Sequence, residues 1–237
     1  MSSEADVLDE VPPELVRRVE AALAEDRAED VRTLLASLSA TGQASVLEQV
    51  SEAERDKLVG ILKRDIDPEA LTELDEEVLG DVLDQLDSKD IAAAAHELET
   101  DDAATLLEDL TETERREVLA ELPADERADI ESALAYPDDT AGRLMQRSLV
   151  KVPDTWTVGE VIDHCREATD LPDDVYDIFV VDLAGRLSGA VPLGRMLRAK
   201  RPVPFRDIVD PDIPSVPATA DQAAVAHLFR DKNLVSC

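Results

Sequence analysis

Apolar residues recur every twelve positions through the first half of the chain. The series is Leu38, Val50, Leu62, Leu74, Leu86, Leu98, Leu110, Leu122 and Leu134. In most repeats an apolar pair stands four and three positions earlier, which is the spacing of one helical face. These pairs are Val46-Leu47, Leu58-Val59, Val82-Leu83, Leu106-Leu107 and Val118-Leu119. The pattern predicts a short helix in each repeat.

The helices have to break once per repeat. Twelve residues make about 3.3 helical turns, so in one continuous helix the apolar stripe would rotate by roughly 120° per repeat and could not face one core. Start signals stand where breaks are expected: Ser51 with Glu54, Thr111 with Glu114, Pro68 and Pro123. We therefore predict an α-superhelix, right- or left-handed, built of stacked 12-residue repeats. Two helices, at about 14–25 and 28–38, are predicted to precede it.

The second half of the chain alternates strand and helix patterns. The first group is a strand at 149–153, a helix at about 157–168 opened by Thr157 and Glu160, strands at 178–182 and 187–191, and a helix at 193–199. The order then restarts with a helical turn at 205–209, a strand at 213–216 and a helix at about 221–231 capped by Asp221. We predict a multidomain protein with an α part and an α/β part.

Residues 136–145 join these two parts, and we predict that they form a hinge. Pro137 cannot continue a helix that ends before it, and Gly142 permits close backbone approach. Asp138 and Asp139 offer side-chain acceptors to the amides of a new helix start.

The net charge of the chain is −31. Such a charge repels nucleic acid and anionic lipid headgroups and attracts cations, so we expect no nucleic-acid partner. Most of these carboxylates are expected to be solvated surface groups. A binding site needs particular carboxylates that converge.

The densest acidic helix start is the run from Glu99 to Ala104. Asp101 and Asp102 in this run would complement the positive end of a helix dipole, which is the simpler interpretation. The alternative is a site for Mg²⁺, which takes oxygen ligands and keeps several waters. We expect His96, on the preceding helix, to be packed or solvated.

Enzymatic and membrane-spanning classes are not favoured by the sequence. No glycine-rich phosphate loop, nucleophile elbow or two-histidine metal motif is present, and no apolar run reaches the roughly 20 residues of a membrane span. Cys165 and Cys237 form no pattern, which is typical of a reducing compartment. The start from Met1 to Asp6 lacks the basic residues of a signal peptide, so we expect the chain as given to be soluble and not an enzyme.

Two groups of residues carry a resemblance to known families. Within the strand-helix-strand-strand-helix unit, the runs 179–182 and 185–187 together with Gly189 resemble a CBS motif, a module that works in pairs. The run from Tyr136 to Met145, the following 152–160 segment and the acidic twelve-residue array are similar to the cytosolic N domain and CBS region of MgtE-type magnesium transporters. The resemblance divides the chain into an N domain at 1–135, a hinge at 136–145, a first CBS motif at 146–202 and a truncated second CBS motif at 203–237.

The resemblance implies a regulatory role. In this family the two domains lie below the transmembrane pore domain of the same transporter, on the cytoplasmic side of the membrane, and form a homodimer through their CBS regions. Mg²⁺ between acidic faces of the N and CBS domains holds the pore closed. The resemblance carries Asp101 and Asp221 over as metal-binding residues. Asp138 and Asp139 are added because of their place in the hinge.

Some residues depart from the family pattern. Thr105 replaces an acid one turn after the acidic helix start, and Pro192 and Arg195 replace the hydroxyl and carboxylate that hold phosphate and ribose in nucleotide-binding CBS motifs. Pro192 and Arg195 thus count against nucleotide binding in the first CBS motif. Two alternatives to the transporter interpretation stay open. One is a soluble CBS-domain adaptor that binds a protein partner or an adenine nucleotide, and the other is a truncated product without transport.

Overall fold

The computed structural model describes residues 11–168, 171–172, 175–234 and 236. The chain divides into two compact units, a helical unit Met1–Leu134 and an α/β unit Ala135–Cys237. The predictions about Cys237 and about the amino-terminal start lie outside the described residues. Within the described ranges, no helix is both long enough and apolar enough to cross a bilayer.

The described part of the helical unit holds ten α-helices and one short 3-10 turn. The helices are α1 Pro13–Ala24, α2 Ala28–Leu35, α3 Ala40–Gln49, α4 Glu52–Leu62, α5 Pro68–Thr72, α6 Glu76–Leu83, α7 Ser88–Glu97, α8 Thr100–Glu108, α9 Glu112–Glu121 and α10 Ala124–Leu134, and the 3-10 turn is Lys63–Asp65.

The starts of most of these helices follow the twelve-residue spacing. Helices α2, α3, α4 and α6 to α10 begin in register. Where one further start is expected, the chain forms the 3-10 turn, and α5 begins a few residues later at Pro68. The first-turn position predicted for Pro68 is confirmed. Pro123 instead precedes α10, and its carbonyl accepts a hydrogen bond from the Arg127 amide at 2.9 Å.

One apolar core runs through the helical unit. All five apolar pairs identified in the sequence are buried, and the twelfth-position residues are buried or half-buried. Burying a Leu or Val side chain contributes about 1.5–3 kcal/mol relative to leaving it in water. No single short helix buries enough surface to hold its own shape, so packing between helices stabilises the unit.

The predicted capping boxes form at the starts of α4 and α9. The Ser51 amide donates to Glu54 Oε2 at 3.1 Å, and the Thr111 amide donates to Glu114 Oε2 at 2.9 Å. Hydrogen bonds from Ser51 and Thr111 hold the pKa of Glu54 and Glu114 below the usual value. The acids therefore stay ionised at neutral pH, where they satisfy backbone amides.

The α/β unit is built around a three-stranded sheet. Its elements are β1 Lys151–Pro153, α11 Val158–Glu167, β2 Asp177–Val181, β3 Leu187–Pro192, α12 Leu193–Arg198, a 3-10 turn Phe205–Ile208 and α13 Gln222–Lys232. The strand order is β1-β2-β3, with β1 parallel and β3 antiparallel to β2. The third capping box is present, because Thr157 and Glu160 open α11.

The strand predicted at 213–216 is wrong. These residues carry no ladder in the structure, and the nearest pairing is an isolated bridge between Ala190 and Asp210. Pro211, Pro214 and Pro217 lack backbone amide donors, so this stretch cannot supply a regular ladder.

The helix start predicted at Asp138 and Asp139 is also wrong. Residues 137–144 form turns, and this segment pairs with the chain just before α13. The Ala141 amide donates to the Ala220 carbonyl at 2.8 Å, and the Gly142 amide donates to the Ala218 carbonyl at 2.7 Å. The close approach expected at Gly142 is present, because a Cβ there would lie 2.6 Å from the Tyr136 ring.

Gly189 is a position where a side chain should be costly. Its φ is +147°, and an added Cβ would lie 2.2 Å from the Asp210 carbonyl oxygen. We predict that Gly189→Ala lowers the free energy of unfolding of the α/β unit by about 2 kcal/mol. Urea unfolding followed by the fluorescence of Trp156, the single tryptophan, measures this.

Gly60→Ala is the matched control, because an added Cβ in α4 meets nothing within 4 Å. Helix propensity predicts a gain of about 1 kcal/mol for the helical unit, read by circular dichroism. Equal effects of the two substitutions would contradict this interpretation.

Candidate metal centre

The first candidate site lies at the amino-terminal end of α8. Glu99 is the residue that precedes the helix, and its side chain makes no capping hydrogen bond. Asp101 and Asp102 stand in the first turn, where the backbone amides have no partner within the helix. The helix dipole favours negative charge here, so the local fold explains why acids are tolerated.

Two acids at this end of α8, Glu99 and Asp102, have raised pKa values. Partial burial, and then the charges of Asp101 and Asp102, raise the pKa of Glu99. Partial burial, and then the charges of Asp101 and Glu69, raise the pKa of Asp102. Close negative charges without a counterion destabilise the ionised forms, and a bound cation would relieve that repulsion.

Glu69 is a member of this cluster that the sequence pattern did not indicate. It lies on α5, and α5 packs against α8. No local spacing connects Glu69 to Asp102, because their electrostatic interaction depends on the packing of helices that are far apart in sequence. Glu99 belongs to the acidic run itself and could have been included from the sequence.

Asp101 supplies the observation that best fits a hard cation. Its Oδ1 oxygen is shielded from solvent and accepts no hydrogen bond from the described residues. An ionised oxygen without a partner costs free energy, and a metal ion is one group that would satisfy it. The donors here are carboxylate oxygens, the ligands that Mg²⁺ prefers.

The cluster is not a closed coordination shell. Across the described ranges, no group of three or more His, Cys, Asp or Glu side chains is arranged to hold a metal ion. At the position of the family's second acid, the Thr105 hydroxyl donates to the Asp101 carbonyl at 2.9 Å. A cation at this end of α8 would therefore keep much of its water, as Mg²⁺ commonly does.

The second candidate site lies in the α/β unit, where Asp139 and Asp221 are brought together. Thr140 and Asp221 form a backbone bridge, and the Asp139 carbonyl accepts a hydrogen bond from the Gln222 amide at 2.9 Å. The Asp139 carbonyl thus satisfies an amide in the first turn of α13. The sequence analysis had instead predicted that the Asp139 side chain would accept from a helix start within the hinge. The structure makes residues 139 and 221 neighbours although they are distant in sequence.

The side chains of this second site have other partners. Asp221 Oδ1 accepts hydrogen bonds from the Ala223 and Ala224 amides at 2.9 and 3.3 Å, and Asp139 Oδ1 accepts one from Gln222 Nε2 at 2.7 Å. Asp138 is exposed in the turn. Asp221 is therefore a helix cap first, and its remaining oxygen is the group available to a cation.

His96 is not arranged as a metal ligand. Its Nδ1 lies 2.7 Å from Glu126 Oε2 on α10, and this hydrogen bond raises the pKa of the imidazole. A partly solvated ion pair of this kind links α7 to α10 and contributes little to stability.

Arg195 and Pro192 are the residues that the resemblance aligns with a carboxylate and a hydroxyl of nucleotide-binding CBS motifs. Arg195 Nη1 donates to the Ile208 carbonyl at 3.2 Å, and its guanidinium lies 3.5 Å from Asp210. Pro192 precedes α12 without a side-chain cap. The Arg195 guanidinium cannot accept hydrogen bonds from a ribose hydroxyl as a carboxylate does, which disfavours nucleotide binding in the manner of those motifs.

Comparison with known proteins agrees with these features. Residues 38–139 match the model of the MgtE intracellular N domain. The magnesium transporter MgtE of Thermus thermophilus is 34% identical over 103 residues, which are 44% of this chain and 23% of that protein. The magnesium transporter MgtE of Enterococcus faecalis is 27% identical over 108 residues, 46% of this chain and 24% of that protein. The matched stretch thus covers about a quarter of each relative.

Two solved structures share the fold. The cytosolic domain of the Mg²⁺ channel MgtE in complex with ATP has a TM-score of 0.81 at 26% identity, covering 92% of this chain and 89% of that one. The soluble part of a magnesium transporter has a TM-score of 0.75 at 24% identity, covering 94% and 88%. Both likenesses are to the soluble or cytosolic part of a magnesium transporter or channel. Residues 38–139 are thus similar to the MgtE intracellular N domain. The relatives are transporters, in agreement with the prediction that the chain is not an enzyme.

The raised pKa of Glu99 generates a prediction about stability and pH. An acid whose pKa is raised on folding destabilises the folded state at neutral pH, and the cost disappears as the pH falls through both pKa values. We expect Glu99→Gln to raise the free energy of unfolding at neutral pH by less than about 1 kcal/mol, because the side chain still contacts solvent. The gain should vanish by about pH 4. Urea unfolding followed by circular dichroism measures it.

Glu117→Gln is the control, because Glu117 is exposed in the middle of α9. It should change stability little at either pH. A gain for Glu99→Gln that is the same at neutral and acid pH would rule out charge repulsion as its source.

Proposed function

We propose that this chain is the Mg²⁺-sensing regulatory region of an MgtE-type magnesium transporter. One observation supports the proposal: the region that matches the MgtE intracellular N domain has, at the start of α8, a shielded carboxylate oxygen with no hydrogen-bond partner among the described residues. Around it, two further acids have raised pKa values. The chain would sense the concentration of Mg²⁺ in the cell. Asp101 and Asp102 would be the principal contacts of the ion in the helical unit.

The rest of the mechanism follows from electrostatics. Acidic surfaces repel each other when no cation is present, and a doubly charged ion shared between them reverses that preference. We propose that Mg²⁺ binds acids of the helical unit, led by Asp101, and acids of the α/β unit, led by Asp221 with Asp138 and Asp139. At high Mg²⁺ this bridging would hold the transmembrane pore domain closed, and at low Mg²⁺ the units would separate.

The forces have a suitable size for a switch. Two carboxylates about 6 Å apart repel by roughly 3 kcal/mol at an effective dielectric constant of about 20. Moving a two-state equilibrium from mostly open to mostly closed needs about 5.5 kcal/mol of differential binding. One site with a millimolar dissociation constant does not supply this near physiological concentrations. We therefore propose several weak sites that act together.

The proposal includes the chain's location and partners. The sensing region would lie on the cytoplasmic side of the cell membrane, joined to a transmembrane pore domain. Residues 146–202 and 203–237 would be a first CBS motif and part of a second, and these would form a homodimer.

Nucleotide binding is a second candidate function, because a similar structure is a complex with ATP. Pro192 and Arg195 weigh against it in the first CBS motif, where the Arg195 guanidinium lies near Asp210. We therefore place Mg²⁺ sensing first.

Mg²⁺ should compact the chain in the millimolar range. We expect Asp101→Asn to raise the Mg²⁺ concentration at the midpoint about tenfold, because a neutral amide replaces the shielded carboxylate. Small-angle scattering during a Mg²⁺ titration, against NaCl of equal ionic strength, measures the radius of gyration.

Asp56→Asn is the control, because Asp56 is an exposed acid on α4. It removes the same charge and should leave the midpoint unchanged. Scattering profiles that respond equally to Mg²⁺ and to matched NaCl would contradict the proposal.

The Mg²⁺ response should weaken in mild acid. Protons compete with Mg²⁺ for carboxylates, and Glu99 and Asp102 take up protons at higher pH than ordinary acids because their pKa values are raised. We expect the midpoint Mg²⁺ concentration to rise as the pH falls from neutral toward about 5. Glu99→Gln with Asp102→Asn should remove most of this dependence, and a wild-type midpoint that is constant down to about pH 4 would contradict it.

A further inference from the structure

A basic stretch interrupts this acidic chain at residues 195–206. It contains five basic residues and no acid: Arg195, Arg198, Lys200, Arg201 and Arg206. The stretch covers the second half of α12 and the connection into the 3-10 turn at Phe205–Ile208. It follows β3 in the α/β unit.

The basic side chains are exposed, and three of the five lie within 4 Å of an acid among the described residues. Arg201 contacts Asp163 at 2.6 Å, and Arg195 lies 3.5 Å from Asp210. Arg198 and Lys200 form no ion pair with any of the described residues, and both are exposed. Their positive charge is therefore available to an external anion.

An exposed apolar residue stands among these charges. Met196 is 2% exposed and anchors α12 to the core, whereas its neighbour Leu197 is 66% exposed. Arg195 and Arg198, three positions apart on α12, lie on the same side of the helix. Basic residues around an exposed leucine are the combination that favours a membrane surface, where the charges meet lipid phosphates and the apolar group enters the interface.

The negative charge of the chain is unevenly distributed. Residues 1–134 contain 39 acidic and 12 basic residues, whereas residues 135–237 contain 16 and 12. Charges beyond about 8 Å are largely screened at physiological salt. The local positive stretch, and not the total charge, therefore determines what the α12 surface attracts.

We propose that the exposed surface of α12 and the following connection, residues 195–206, docks on anionic lipid headgroups. Clusters of four to eight basic residues next to a membrane bind anionic lipids in this way. The choice of a lipid surface rests on the proposed function, which places the chain beside a membrane. Nucleic acid fits less well, because a phosphate backbone offers no apolar layer for the exposed Leu197 side chain.

Vesicle cosedimentation with the full chain tests this. Vesicles of phosphatidylcholine with roughly a quarter phosphatidylglycerol are compared with pure phosphatidylcholine at about 0.1 M salt, with EDTA present so that no divalent ion bridges acids to lipid. We expect binding to the anionic vesicles alone. Arg198→Gln with Lys200→Gln should weaken it by about tenfold or more. Leu197→Ser should weaken it while leaving the charge unchanged.

Arg17→Gln with Lys57→Gln is the matched control, because these residues are exposed in the helical unit and the charge change is the same. This control should bind like the unaltered chain. Equal binding to both kinds of vesicle, or equal losses in the basic-stretch and control variants, would overturn the proposal. The scattering response to Mg²⁺ without vesicles is independent, so failure of lipid docking is distinguishable from failure of Mg²⁺ sensing.

Discussion

The helical unit depends on a mismatch between its sequence period and the geometry of the α-helix. An apolar stripe that recurs every twelve residues cannot stay on one side of a continuous helix, because it rotates by roughly 120° in each period. The chain therefore ends one helix and begins another at nearly every period, and each break exposes a new set of backbone amides. Acids and hydroxyls satisfy or complement these amides, as Ser51 with Glu54 and Thr111 with Glu114 show. The array thus carries many acidic helix starts as a consequence of its period.

Acidic helix starts stabilise the helical unit in some places and destabilise it in others. Where an acid accepts hydrogen bonds from its own helix start, as Glu114 does, its pKa falls and the charge is well accommodated. Where several acids share one helix end, as Glu99 and Asp102 do with Asp101, partial burial and repulsion raise their pKa values. The start of α8 is therefore a place where a cation would relieve repulsion between acids. That difference distinguishes it from the capping boxes, although both arise from the same sequence pattern.

Local sequence pattern predicted much of the fold, because helices and their caps are determined by residues within a few positions of one another. The burial of the apolar pairs, the three capping boxes and the start of α5 at Pro68 belong to this kind. Pairings between distant segments were not predictable in the same way. A strand was predicted at 213–216, yet the prolines in and beside this stretch prevent a ladder. The electrostatic interaction of Glu69 with Asp102, and the hydrogen bond of the Asp139 carbonyl to the start of α13, depend on tertiary packing that no local spacing records.

Hydrogen exchange with and without Mg²⁺ tests the central claim most directly, because it reports which amides a bound ion protects. Mg²⁺ at millimolar concentration is compared with NaCl of equal ionic strength. If Mg²⁺ binds the acidic helix starts, exchange should slow specifically in the first turn of α8 and in the segments around Asp139 and Asp221. Exchange that is identical in the two salts, or that slows equally over the capping boxes of α4 and α9, would contradict divalent sensing at these sites.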